Sequence, residues 1–287
     1  MRVGLSSGLY IGSLLGIAIR VHWSFLLLPF LSGGEGFGRV KMLLYLALFG
    51  TVLIHELGHC LAARSVGGQA HQIVLWPLGG LAFVRANKGH TLQSIWVSLA
   101  GPLTHIPLAA ACAAILASVG HPVAWSDLNP LGPFHFPASE VWHNMVYVLF
   151  KMQVLLFCFN VFTPAYPMDG GQVVAAVLSN IVPLSTCSFI MAGLTFGSAV
   201  MLAQHDLPFL AVFLGANAFS LLGPASDWHP LAAFYARPGV IEGRSPIFVA
   251  PGLNLKPCPQ CHQPLHPAAE RCAYCDTLYP FGQSQPE

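Results

Sequence analysis

Six apolar segments, most of them close to the length needed to cross a membrane, dominate this sequence. A membrane-spanning helix needs about 20 mostly apolar residues. Charged residues make up only 8% of the chain, against about 25% in soluble domains, so too few charges are present to cover a soluble surface. The sequence therefore predicts an all-α polytopic membrane protein with about six transmembrane helices. The segments are Val21–Ser32, Met42–Ala63, Ile95–Val119, Val141–Phe162, Leu184–Ala203 and Leu207–Gly223.

The first segment is short, and the apolar run Leu9–Ile19 just before it offers further residues for a span. Arg20 and His22 interrupt that run, so the start of the helix is open. A signal peptide over residues 1–19 is the alternative, because Arg2 precedes an apolar stretch. No small-residue cleavage site follows that stretch, which disfavours this alternative.

The second segment carries three polar side chains at its centre, in the stretch TVLIHELGHCLAA. His55 and His59 are four residues apart and therefore share one face of a helix. Two imidazoles on one face can hold Zn²⁺, and Glu56 beside them can take a proton from water. An ion pair with a neighbouring helix is the alternative for Glu56, but the His-Glu-x-x-His spacing argues against it. We expect a metal to compensate the cost of burying these groups in an apolar span.

A third ligand must come from elsewhere, because catalytic zinc usually has three protein ligands. The segment FNVFTPAYPMDGGQ is broken by prolines and glycines and carries Asp169 just after the fourth span. Broken backbone at membrane depth is tolerated only where it is buried in protein or lines a cavity. Asp169 is therefore the predicted third ligand. The alternative is that Asp169 caps a helix beginning at Gly170.

Five stretches together resemble the site-2 protease family of intramembrane zinc metalloproteases, from about Val21 to Gln172. They are LGIAIRVHWSF at Leu15–Phe25, HELGH at His55–His59, WPLGGLAFV at Trp76–Val84, SLAGPL at Ser98–Leu103 and PAYPMDGG at Pro164–Gly171. This resemblance implies hydrolysis of peptide bonds within the membrane, with a membrane-anchored regulatory protein as substrate. It also implies zinc held by His55, His59 and Asp169, with Glu56 as the base.

Three further expectations concern residues near this centre. The resemblance implies that Asn160 contacts the substrate or transition state, although it precedes the aspartate by nine residues where many family members have eight. His105 stands where the family often has asparagine. We expect it to be packed and satisfied, and a hydrogen bond near the site is the alternative. The resemblance favours an extended conformation for the glycine-rich stretch Gly79, Gly80 and Leu81, where an extended substrate could bind by strand addition. A tight turn between helices is the alternative.

Basic residues predict the orientation. Arg64 ends the second span and Arg85 and Lys88 follow it, so the positive-inside rule places that end in the cytoplasm. The fourth span then returns Asp169 to the side of the histidines, and both termini and the zinc sites face the cytoplasm. The predicted location is a bacterial-type inner membrane. Three cations do not fit this scheme: Arg39 and Lys41 on the outer side, and Lys151 within a span.

The C-terminal part is predicted to be separate from the membrane domain, which covers residues 1–228. Residues 229–255 read as a linker, and residues 256–287 hold two C-x-x-C pairs typical of a zinc ribbon. The four ligands would be Cys258, Cys261, Cys272 and Cys275. A pair of disulfides is the alternative, which a reducing cytoplasm disfavours. We expect this tail to bind a protein partner.

Two functional classes follow from these residues. The first is an intramembrane zinc endopeptidase with one catalytic and one structural Zn²⁺, acting in the lipid bilayer. The second is a non-enzymatic membrane zinc protein, such as a transporter or an inactive scaffold. The ligands converge on one glutamate-flanked site and Glu56 is present, which favours the enzyme. A net charge of +1 gives no reason to expect nucleic acid as a partner.

Overall fold

The computed structural model of the protein describes residues 8–24, 39–76, 79–85, 91–130, 132, 140–205, 207–223, 230–231, 256–257 and 264–265. Helices dominate this part of the chain, and a four-stranded sheet accompanies them. The helices are α1 (Arg39–Ser65), α2 (Thr91–Leu103), α3 (His105–Ser118), α4 (Val141–Phe162), α5 (Asp169–Leu178), α6 (Leu184–Gln204) and α7 (Pro208–Leu221). The strands of the sheet are β1 (Gly8–Leu14), β2 (Ile17–His22), β3 (Gln69–Trp76) and β4 (Gly79–Arg85).

Within the described ranges, four helical stretches are long and apolar enough to cross a membrane. They are Met42–Ser65, Thr91–Ser118, Val141–Phe162 and Leu184–Gln204, and they match the second to fifth predicted spans. The stretch Thr91–Ser118 contains both α2 and α3, which meet at Thr104 just after Pro102.

The two remaining predicted spans are not confirmed. For Leu207–Gly223 the structure has α7, whose 14 residues reach about 21 Å, less than the roughly 30 Å of a bilayer core. The predicted first span Val21–Ser32 begins with the last two residues of β2. Its residues from 25 onward lie outside the described part of the chain.

The all-α prediction needs correction, because strands on either side of α1 in the sequence form one sheet in the order β1-β2-β3-β4. The run Leu9–Ile19, which we considered as part of a membrane span, instead forms the β1–β2 hairpin. Its two-residue turn consists of Leu15 and Gly16, both with positive φ, as the twist of a tight hairpin demands. The segment around Gly80 is extended, as predicted, and forms β4 antiparallel to β3.

The sheet is fixed against α1 at the end that carries the histidines. Ile17, Ile73 and Leu75 from the strands are fully buried and form an apolar cluster with Cys60 of α1. Arg64, in the last turn of α1, donates from Nη1 to the carbonyl of Leu15 at 2.6 Å and from Nη2 to that of Ala70 at 2.9 Å. The polar end of α1 is thereby tied to the β1–β2 turn and to strand β3.

The buried ammonium group of Lys151 in the span α4 has hydrogen-bond partners in the segment between α3 and α4. The Lys151 ammonium donates to the carbonyls of Asp127 at 3.2 Å and Asn129 at 2.7 Å. The Tyr147 hydroxyl donates to the Asp127 carboxylate at 2.6 Å. A short 3₁₀ helix, Trp125–Leu128, is therefore anchored beside the middle of α4.

Candidate metal centre

His55 and His59 from α1 meet Asp169, the first residue of α5, in a buried cluster. The Nε2 atoms of the two histidines are 3.0 Å apart. The Asp169 carboxylate lies 3.3 Å from His55 Nε2 through Oδ2 and 3.4 Å from His59 Nε2 through Oδ1. The three side chains offer donor atoms that all lie within 4.8 Å of one another. The two predicted motifs are thus brought to one point.

The competing interpretation of Asp169 as a helix cap is wrong. The helix α5 begins at Asp169 itself, and Met168 occupies the N-cap position without a side-chain capping bond. The Asp169 carboxylate faces the histidines instead.

The donor set fits a catalytic zinc ion. Two imidazole nitrogens and one carboxylate oxygen are a donor combination found in catalytic zinc sites. His59 Nδ1 lies 2.6 Å from the carbonyl oxygen of Val97. A carbonyl only accepts, so Nδ1 carries the proton and the lone pair of Nε2 faces the cluster. This is the protonation state that a metal ligand requires.

Glu56 lies beside the cluster but outside the group of potential ligands. Its side chain is buried, 6% exposed, and its carboxylate accepts a hydrogen bond from the backbone N–H of Ala82 in β4. Gly80, two residues earlier, packs directly on the Glu56 side chain. The strand β4 therefore orients the predicted base.

Two glycines allow α2 to cross α1 at the histidines. A Cβ atom on Gly58 would clash with the backbone of Ala100, and one on Gly101 would overlap the ring of His59. Both glycines belong to stretches quoted above, HELGH and SLAGPL, but no packing role was predicted for them from the sequence. The crossing presents the Val97 carbonyl to His59.

The chain between α4 and α5 is held by close backbone packing. A Cβ atom on Gly170 would clash with the carbonyl oxygens of Val161 and Thr163, and one on Gly171 with the backbone of Ala165. The Tyr166–Pro167 peptide bond is cis. Because both glycines must stay without a side chain, the PMDGG stretch fixes where Asp169 begins its helix.

His105 is buried and satisfied, as predicted, and it also contacts a predicted ligand. Its side chain is 1% exposed. His105 Nε2 lies 3.1 Å from His55 Nδ1, and His105 Nδ1 lies 2.8 Å from Gln153 Oε1. The hydrogen bond near the site that the sequence left open for His105 is therefore present. A single glutamine in an apolar span carries no spacing signal, so the sequence did not identify Gln153.

The other predicted site residues lie as follows. Asn160 donates from Nδ2 to the carbonyl of Leu156 at 2.9 Å, one turn back in α4. Gly79, Gly80 and Leu81 begin β4, an edge strand of the sheet. The four cysteines of the tail, Cys258, Cys261, Cys272 and Cys275, lie outside the described residues.

Comparison with known proteins gives a consistent result. The sequence profile of peptidase family M50 matches residues 43–203. A zinc metalloprotease of Methanocaldococcus jannaschii is 29% identical over 58% of this chain and 44% of its own length. The stage IV sporulation protein FB of Bacillus subtilis is 32% identical over 51% of this chain and 43% of its own length. The chain thus spans less than half the length of these two relatives.

A solved structure shares the fold. The site-2 protease from Methanocaldococcus jannaschii superposes with a TM-score of 0.51 at 22% sequence identity, covering 77% of this chain and 97% of that one. At this identity the likeness concerns the fold alone.

Proposed function

The chain belongs to peptidase family M50, and we propose that it is an intramembrane zinc metalloendopeptidase. Its substrates would be membrane-anchored regulatory proteins, cut in or near their transmembrane segments. The observation that carries this proposal is the convergence of His55, His59 and Asp169 on one buried point, with Glu56 on the same turn of α1.

Each residue has a distinct role in the proposed reaction. His55 and His59 would hold Zn²⁺ through Nε2, and Asp169 would hold it through a carboxylate oxygen. The bound ion supplies Lewis-acid chemistry that polarises the scissile carbonyl and activates water. Glu56 takes the proton of the attacking water and returns it to the leaving amine. The Ala82 N–H keeps the Glu56 carboxylate in place.

The edge strand β4 is the proposed substrate-binding segment. Its register pairs Gly79 with Trp76 and Gly80 with Leu75 of β3, and its other edge has no strand partner among the described residues. An extended peptide that adds to this edge through main-chain hydrogen bonds would lie beside Glu56, because Gly80 contacts that side chain. The segment Gly79, Gly80 and Leu81 would thus present a scissile bond to the base.

Asn160 remains a proposed contact to the substrate or transition state. Its amide donates within α4, so it would have to leave the carbonyl of Leu156 to reach a substrate. The backbone carbonyl of Asn160 packs close to Gly170 at the start of α5, which places the residue near the aspartate.

The proposed location is a bacterial-type inner membrane, with the zinc sites and both termini toward the cytoplasm. Arg64 in the last turn of α1 supports this orientation through the positive-inside rule. The short strands β5 (Lys256–Pro257) and β6 (Pro264–Leu265) pair with each other and bracket Cys258 and Cys261 in the sequence. This pairing supports a second, structural Zn²⁺ in the tail, where a protein partner would bind.

Metal removal tests the proposed reaction. The full-length protein in liposomes, with a reporter substrate containing a glycine-destabilised transmembrane helix, should cleave that helix when loaded with zinc. Treatment with 1,10-phenanthroline should abolish cleavage, and stoichiometric Zn²⁺ should restore it where Mg²⁺ does not, since the donor set contains two imidazoles. Undiminished cleavage by a protein shown to contain no zinc would contradict the proposal.

A further inference from the structure

We propose that Gln153 and His105 are positioning residues that determine which ring nitrogen of His55 carries its proton. By holding that proton on Nδ1, they would keep the Nε2 lone pair of His55 directed at the metal site. This inference rests on the proposed zinc site. It adds two residues that lie outside both the HELGH and the PAYPMDGG stretches.

The observation is a path of three buried hydrogen bonds that joins three helices. His55 Nδ1 contacts His105 Nε2 at 3.1 Å, and His105 Nδ1 contacts Gln153 Oε1 at 2.8 Å. Gln153 Nε2 donates to the Thr51 hydroxyl at 2.9 Å. Thr51 lies four residues before His55, so α1 supplies both ends of a path that runs through α3 and α4. All four side chains are buried.

With the Gln153 amide oriented so that Oε1 faces His105 and Nε2 faces Thr51, the direction of every bond in this path is set. The Gln153 carbonyl oxygen can only accept, so His105 must donate from Nδ1. A neutral His105 then has its lone pair on Nε2, and it accepts the proton that His55 carries on Nδ1. His55 Nε2 is left as a lone pair, and it lies 3.3 Å from the Asp169 carboxylate.

His59 reaches the same state by a simpler route, through the backbone carbonyl of Val97 at 2.6 Å. Within the described part of the chain, His55 Nδ1 contacts the His105 ring and not a backbone carbonyl. His105 therefore serves as the orienting group for His55, and Gln153 orients His105 in turn. Groups that orient metal-binding histidines in this way raise metal affinity by about 10–100-fold.

Packing alone does not explain these two side chains. His105 and Gln153 are 1% and 3% exposed in a region of apolar spans. Burying a polar group costs free energy unless it is hydrogen-bonded, and an apolar side chain of similar size would avoid that cost. Their presence is consistent with a role that requires a directed donor and acceptor.

Two substitutions at one position separate positioning from packing. Gln153→Glu keeps an oxygen that accepts from His105 Nδ1, whereas Gln153→Met keeps the shape and removes both polar atoms. If Gln153 positions His55, zinc affinity should stay within about threefold of the wild type in Gln153→Glu and fall by about 10–100-fold in Gln153→Met. A purely structural role predicts the opposite order, since a buried carboxylate is costlier than a thioether.

The measurement is zinc affinity of the full chain in detergent, by competition with a chelating dye, so it does not depend on cleavage. His105→Phe should lose affinity as Gln153→Met does, and it provides a second test if Gln153→Met fails to fold. Tyr147→Phe, which removes a different buried hydrogen bond from α4, should bind zinc as the wild type does. Wild-type affinity in both folded Gln153→Met and His105→Phe would overturn the proposal, as would weaker binding by Gln153→Glu than by Gln153→Met.

Failure of the positioning role can be distinguished from failure of the proposed protease function. A chain that shows the expected order of zinc affinities but cleaves no membrane substrate would retain the positioning role and contradict the endopeptidase. A chain that cleaves with zinc but holds it equally well in all these variants would contradict the positioning role alone.

Discussion

Gly80 of β4 lies directly against the Glu56 side chain of α1, so that a methyl group on its Cα would overlap the Cγ, Cδ and Oε1 atoms of that side chain. The edge strand and the proposed base are therefore in contact through a position where only hydrogen fits. The strand that is proposed to bind the substrate also sets the position of the group that is proposed to activate water.

The substitution Gly80→Ala should reduce cleavage by about 100-fold or more, because it displaces a general base whose contribution is of that order. Zinc content should stay at the wild-type level, since the atoms nearest to a Cβ at Gly80 belong to Glu56, which is not a proposed ligand. Cleavage and bound zinc are measured on the same preparation. Gly197→Ala in α6, where a Cβ meets nothing within 4 Å, is the control and should cleave normally. Wild-type cleavage by Gly80→Ala would contradict the importance of this contact.

The substitution Gly101→Ala acts on the metal site instead. A Cβ there overlaps the His59 ring, so the ring must turn away from the Val97 carbonyl that orients it. We expect zinc affinity to fall by about 10–100-fold, as for loss of an orienting partner. A chelator competition assay measures this, with Gly193→Ala as the control because its Cβ would meet open space. Unchanged affinity in Gly101→Ala would show that the ring tolerates the shift.

The elements of this site differed in how well the sequence predicted them. The helical period alone placed His55 and His59 on one face, because residues four positions apart are neighbours on a helix surface. The convergence of Asp169 was predicted because its segment is broken at membrane depth. The contact between His105 and Gln153 joins residues 48 positions apart and depends on how α3 packs on α4, which no local pattern encodes.

The sheet was missed for a related reason. The run Leu9–Ile19 is apolar enough to resemble part of a span, and its turn at Leu15 and Gly16 lacks the Asn-Gly or Asp-Gly pair that marks a tight hairpin. Its strands are specified by their neighbours, since β2 pairs in parallel with β3, which lies beyond α1 in the sequence. A parallel partner so far along the chain leaves little local signal.

Lys151 should stabilise the connection between α3 and α4. The substitution Lys151→Met keeps the length of the side chain but removes the donor to the carbonyls of Asp127 and Asn129. Losing the charged donor of these two hydrogen bonds should lower the free energy of unfolding by about 1–3 kcal/mol. Thermal unfolding in detergent measures the change. Ser118→Ala, which removes an exposed hydroxyl at the end of α3, should shift the transition little. An unchanged midpoint in Lys151→Met would rule out this anchoring role.

The tail should account for one of two zinc ions per chain. Deletion of Lys256–Glu287, or the double change Cys258→Ser and Cys261→Ser, should reduce bound zinc from about two equivalents to about one, because four-coordinate structural sites need all their ligands. Elemental analysis of purified protein gives the count. The Cys112→Ser variant, altered in α3, should keep both ions. Equal zinc content in the full-length and the deleted chains would contradict the predicted zinc ribbon.

The proposed role of Glu56 as the base is tested most directly by measuring zinc content and cleavage together for Glu56→Gln. The substitution preserves size and leaves His55, His59 and Asp169 intact, so we expect wild-type zinc content with cleavage reduced by about 100-fold or more. Glu140→Gln, at the exposed start of α4, is the matched control and should cleave as the wild type does. Normal cleavage by zinc-loaded Glu56→Gln would contradict the assignment of Glu56 as the base and the mechanism built on it.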